Sequence, residues 1–343
     1  MLGAACLSIV GIVVCMVSRA PGGVGVGVFL IGLATAVFGL ARHAFITTYV
    51  PVAYRARVLA TVGGLFRFGY FVGPFLTVAV LTLFGALESA YWIHLTTCVA
   101  SIAVLLFTRD PERVMQARDR ASGEHAAPAR RRSGGLAYTI VTRRDVLLRL
   151  GVGAAVISAL RAGRIVALPL WAVSIGLDEV TTATIVGVAG GVDFALFYVG
   201  GWLIDRYGRM WNALPSTLGL AVSLVALAFT HDLPHAVTWF VALALVMSIA
   251  NGLGTGILLT LGADLADPHD PAPFLGAWRF TGSLGNAGAP VALAVLTAAV
   301  SLPFAAGALG AVGLVGAVIL ARYIPRFIPG ESLRLSRRGS QGR

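Results

Sequence analysis

The chain has 343 residues, of which 57% are hydrophobic and 12% charged, and its mean hydropathy is +0.86. Soluble domains carry about 25% charged residues, so this composition excludes a soluble globular protein and predicts an all-α membrane protein. Every basic residue is an arginine, and 26 of them against 15 acids give a net charge of +11. They flank apolar runs without any nucleic-acid-binding motif, which sets DNA and RNA aside in favour of orientation in, and contact with, an anionic bilayer.

Ten apolar runs are each read as a helix crossing a hydrocarbon core of roughly 30 Å. In chain order they cover 2–17, 24–46, 58–83, 90–107, 147–175, 182–204, 213–230, 236–262, 273–299 and 303–323. No arginine precedes the first, so it reads as a span and not as a secretory signal. Residues 1–107 form an N-terminal half with four spans, 108–146 a flexible linker containing Pro111 and Pro128, 147–324 a C-terminal half with six spans, and 325–343 a tail. Cys6, Cys15 and Cys98 fall inside spans, as packing residues without a disulfide framework.

The segment between spans four and five holds nine arginines, from Arg109 to Arg144, and the tail holds Arg326, Arg334, Arg337, Arg338 and Arg343. By the positive-inside rule both are cytoplasmic. Alternation then puts the loops near Glu88, Asp178, Asp232 and Ser301 outside, and none of them contains an arginine. It puts Arg42, Arg55, Arg57, Arg206 and Arg209 inside and leaves Arg19 outside. With an even number of spans, both termini of this multi-pass cell-membrane protein are cytoplasmic.

At an offset of 212 the two halves repeat: "GLFRFGYFVG" (64–73) faces "GAWRFTGSLG" (276–285), pairing Gly64 with Gly276, Arg67 with Arg279, Phe68 with Phe280 and Gly73 with Gly285. In the second half, "GGWLIDRYGRMWN" (200–212) sets Asp205, Arg206 and Arg209 into an apolar chain beside Gly201 and Gly208. Gly201 allows close helix approach, Gly208 the turn, and Asp205 near a helix end can hold a neighbouring helix by charge-assisted hydrogen bonds.

On these residues the chain resembles the major facilitator superfamily of secondary transporters, whose two pseudo-symmetric halves are joined by a long cytoplasmic loop. Gly201, Asp205, Arg206, Gly208 and Arg209 fill that family's cytoplasmic loop motif, with Met210 where a second basic residue is common. Gly69, Gly73 and Pro74 match part of an exporter motif, from which Ala60, Thr77 and Val78 depart. The resemblance implies a helical bundle of four plus six spans and a drug-exporter-like monomer. It would move a small organic molecule outward by alternating access, with protons as the coupling ion, the bilayer as its surroundings and no cofactor. In it the loop motif would act as a latch. The alternative is a transport-inactive or truncated relative serving as a scaffold or sensor.

Charges inside spans mark candidate sites, because they are costly in lipid. Asp193, twelve residues before Asp205, sits about 18 Å above the latch. Arg161 and Arg164 share one face of span five, about 21 to 26 Å from its start. Such a carboxylate beside two guanidiniums serves as a proton site, as a wall for an anionic group, or as an ion pair that only fixes packing. Arg67 and Arg279 are candidate gate residues. Pro74, Pro169 and Pro290 are kinks, and Gly69 to Gly73 a close helix contact. His43, His94, His231, His235 and His269 lie near span ends without metal-ligand spacing, and H-E-x-x-H and G-x-S-x-G enzyme motifs are missing.

The charged turn occurs once, since its partner in the repeat would fall at position −7, just before Met1. Span one then corresponds to the family's third helix. The expectation is that the reading frame continues upstream through two further spans and a second copy of the turn.

Overall fold

The computed structural model describes residues 1–50, 52–107, 136–267 and 271–328. The described residues form helices and turns without a strand. The helices are α1 (Leu2–Val17), α2 (Pro21–Tyr49), α3 (Val52–Phe84), α4 (Ala90–Phe107), α5 (Leu136–Thr142), α6 (Val152–Ser174), α7 (Glu179–Ala195), α8 (Phe197–Tyr207), α9 (Arg209–Ala228), α10 (Ala236–Leu253), α11 (Ile257–Leu265), α12 (Pro271–Ala299) and α13 (Leu302–Phe327). A π-turn over Leu147–Gly151 leads into α6.

Among the described residues nine helical runs are long and apolar enough to cross a membrane, with α7 continuing into α8 and α10 into α11. The chain is thus a multi-pass membrane protein. The first of the ten expected spans falls short of that length: α1 has 16 residues, about 24 Å at 1.5 Å per residue. Two further expectations are corrected. Leu136–Thr142, read as flexible linker, is helical and packs on α12, because LAYTIVT is an apolar run; 108–135 lie outside the described residues. The spans read as continuous over 182–204 and 236–262 are interrupted, at Leu196 and at Gly254–Gly256.

The chain divides into two compact units, Met1–Gly69 with Gly73–Arg132 and Tyr70–Val72 with Ser133–Arg343. In the first, α1 packs along α2 and against α4. A Cβ on Gly11 would lie 2.9 Å from the Gly27 carbonyl oxygen, so glycine brings these two backbones together. Arg42 lies over the Phe66 ring, 4.6 Å from its centroid, a cation–π contact between α2 and α3.

The second unit carries the larger core. Trp171, Phe240, Met247, Leu160, Leu220 and Leu224 are fully buried where α6, α9, α10, α12 and α13 meet. Gly310, Gly313 and Gly316 on α13 bring it against Ala221 and Val225 of α9 and Leu160 and Val156 of α6. With no hydrophobic force between helices in lipid, such close backbone packing supplies the adhesion. Asp178 caps α7, accepting hydrogen bonds from the Thr181 backbone N–H (2.8 Å) and hydroxyl (2.7 Å), and Ser301 caps α13 through the Phe304 N–H (3.2 Å).

Candidate functional site

The site is built where the helices of the second unit lose their regular hydrogen bonds. At Gly254–Gly256 the chain leaves α10 and re-enters a helix at α11, and Gly256 takes φ +81°, a conformation glycine adopts without penalty. The freed carbonyls of Leu253 and Gly254 need donors inside an apolar bundle. Two neighbouring helices supply them: the Asn212 side-chain amide of α9 donates to Leu253 O and to Gly200 O (3.0 Å), and Arg161 of α6 donates to Gly254 O (2.6 Å). Gly200 of α8 makes this crossing possible, because a Cβ there would stand 2.7 Å from the Gly252 and Leu253 carbonyl oxygens.

Beside this crossing lies a charged network. Arg164 of α6 pairs with Asp193 of α7 (3.2 Å) and donates to the Ser248 hydroxyl of α10 (2.9 Å). The Asn251 amide of α10 donates to the same Asp193 oxygen (2.6 Å). The Arg164 and Asp193 side chains are 11% and 12% exposed. An ion pair so desolvated depends on further hydrogen bonds, and Ser248 and Asn251 supply one to each of its members. Arg161 and Arg164, placed on one face by their spacing, thus divide the work: Arg164 holds the acid and Arg161 the broken helix.

The charged turn has a different anatomy from the one expected. Gly208 takes φ +98° between α8 and α9, as a turn there requires. The ion pair is made by Arg209, whose guanidinium grips Asp264 near the end of α11 through two bonds (Nε 2.7 Å, Nη2 3.0 Å), the bidentate fork that only arginine offers. Asp205 and Arg206 are exposed, and Asp205 forms no ion pair among the described residues. The close helix approach expected of Gly201 belongs to its neighbour: a Cβ on Gly201 would meet no described atom within 4 Å.

Arg67 is half-buried on α3, and Arg279 is exposed on α12. A Cβ on Gly69 or Gly73 would meet nothing within 4 Å among the described residues, so the close contact expected there is missing. Their repeat counterpart carries it instead, since a Cβ on Gly285 would overlap the Ala155 carbonyl of α6. Pro74, Pro169 and Pro290 all lie inside helices, α3, α6 and α12. The His94 ring, in the first turns of α4, hydrogen-bonds the Ser8 hydroxyl of α1 (2.8 Å). His231 contacts Asp232 (2.7 Å), His235 precedes α10, and His269 lies outside the described residues. No metal-holding cluster occurs among the described residues, and the three cysteines are free.

Sequence reasoning missed Asn212, Ser248, Asn251 and Asp264. Asn212 and Asn251 carried a usable signal: a polar amide in an apolar span is expensive unless it is paired.

The Major Facilitator Superfamily model matches residues 1–290. The chain belongs to the major facilitator superfamily. Solved structures of similar fold include a POT family transporter in complex with thioalcohol conjugated peptide (TM-score 0.72, 12% identity, covering 95% of this chain and 81% of that one). A D-xylose-proton symporter is similar at TM-score 0.63 and 16% identity, covering 95% of this chain and 80% of that one. The xylose transporter XylE from E. coli, in a partially occluded inward open conformation, is similar at 0.61 and 14%, covering 94% and 80%. No curated protein matches in sequence. This major facilitator member therefore has the fold of secondary transporters.

Proposed function

We propose that the chain is a proton-coupled secondary transporter that exports a small organic molecule by alternating access. The observation that carries this reading is the desolvated Arg164–Asp193 pair, held by Ser248 and Asn251 beside two interrupted helices. A charge inside a span is costly, so protonating Asp193 takes the opposing charge from its ion pair with Arg164 and shifts the balance of the network. The rearrangement is coupled to the helices that carry it, because α6 contributes Arg164, α7 Asp193, and α10 both Ser248 and Asn251. A proton symporter of similar fold supports the coupling ion.

Outward direction is supported by Gly69, Gly73 and Pro74, which follow part of the exporter pattern. The arginine distribution supports a cytoplasmic placement of both termini and of the Gly208 turn, with the Arg209–Asp264 pair closing that end of the second unit.

The test is flux in proteoliposomes under an imposed pH gradient, with a panel of labelled antibiotics and metabolites. The expected result is gradient-driven movement of at least one compound, and an Asp193→Asn variant that inserts normally but whose flux no longer depends on pH. Wild-type flux that ignores the gradient, or unchanged pH dependence in the variant, overturns the coupling.

A further inference from the structure

Away from the polar network, α6, α12 and α13 enclose a groove of about 320 Å³ open along one side. Val152, Ala155 and Ala159 form one wall, Gly288 and Ala292 the second, and Val312 belongs to the third. The α12 wall runs from Gly285 to Leu296, about 16 Å at 1.5 Å per residue. The lining is apolar along this whole length, as contact with an extended hydrocarbon chain requires.

Arginines lie beyond the Val152 end of the groove. Arg149 lies one turn before Val152, and its guanidinium stands 5.7 Å from the centre of the Tyr323 ring on α13. Arg322 adjoins Tyr323 and Arg326 follows one turn later. The register agrees, because a Cβ on Gly153 would meet Leu320 at 2.7 Å, which sets Arg149 level with the stretch around Tyr323. None of these three arginines forms an ion pair among the described residues. An apolar groove flanked by arginines at the helix ends complements a molecule with an apolar chain and an anionic head.

We propose that the groove holds an acyl chain of an anionic phospholipid whose phosphate rests on Arg149 and Arg322. The site is separate from the transport network and makes no use of it.

The test is native mass spectrometry of the full chain, released from detergent after titration with dioleoyl phosphatidylglycerol or dioleoyl phosphatidylcholine. Phosphatidylglycerol is expected to be retained in preference. The double variant Arg149→Gln/Arg322→Gln is expected to weaken it by about fivefold for each arginine at low salt, with phosphatidylcholine, whose choline offsets its phosphate charge, weakened less. Ala292→Phe, which fills the groove and leaves the arginines in place, is expected to weaken both lipids. Equal retention of the two lipids by the wild type, a double variant that retains phosphatidylglycerol as the wild type does, or no effect of Ala292→Phe each overturns the proposal.

Discussion

Arg164 and Asp193 depend on each other more than either depends on its helix. Replacing Arg164 by Met takes a charged partner from a buried carboxylate, and breaking a buried pair in this way costs about 3–5 kcal/mol. The expected outcome is a clear fall in the thermal unfolding temperature in detergent for Arg164→Met, partly restored in the Arg164→Met/Asp193→Asn double variant. A double variant no better than the single one would mean that the pair is not what holds this region. Arg209 behaves differently. Its side chain and that of Asp264 are 24% and 23% exposed, and ion pairs so placed contribute roughly 0–1 kcal/mol. Arg209→Gln is expected to change unfolding by little while reducing flux, and a loss of fold without a separate loss of transport would count against a gate.

At the scale of elements, the repeat makes a direct comparison. Gly73 and Gly285 are equivalent in sequence, yet a Cβ is free of described neighbours at the first and overlaps the Ala155 carbonyl at the second. Gly285→Ala is therefore expected to push α12 from α6 and destabilise by about 1–3 kcal/mol, whereas Gly73→Ala leaves unfolding unchanged; equal effects on the unfolding temperature would contradict this geometry. The α7 cap gives a pH dependence. The Thr181 N–H, then its hydroxyl, hold the Asp178 carboxyl below its ordinary value. The cap thus contributes fully above about pH 4, the unfolded carboxylate range, and the contribution is lost as the pH falls through the lower folded value. Asp178→Ala is expected to lower the unfolding temperature at neutral pH, with the difference vanishing in acid.

For the whole molecule, the arginine pattern predicts an orientation. A single cysteine at Ser301, in a background without Cys6, Cys15 and Cys98, is expected to react with an impermeant maleimide from outside intact cells. One at Tyr207, before the Gly208 turn, is expected to react only after permeabilisation. The reverse pattern would invert the topology.

The sequence by itself determined that the chain lies in a membrane, where nine of the ten expected spans run and which family it belongs to, because these follow from residue type summed over windows of about 20 residues and from the spacing of a charged turn. It also brought Asp193 and the two arginines of α6 to similar depth, since helical rise converts residue number into distance. Only the tertiary structure decided which arginine takes the acid and which takes the carbonyl of Gly254, and that Arg209 rather than Asp205 makes the ion pair at the turn. The break at Gly254–Gly256 was hidden for the same reason. A glycine in an apolar run allows a break without requiring one, and what fixes it is the supply of donors, Asn212 and Arg161, from helices 41 and 93 residues away along the chain.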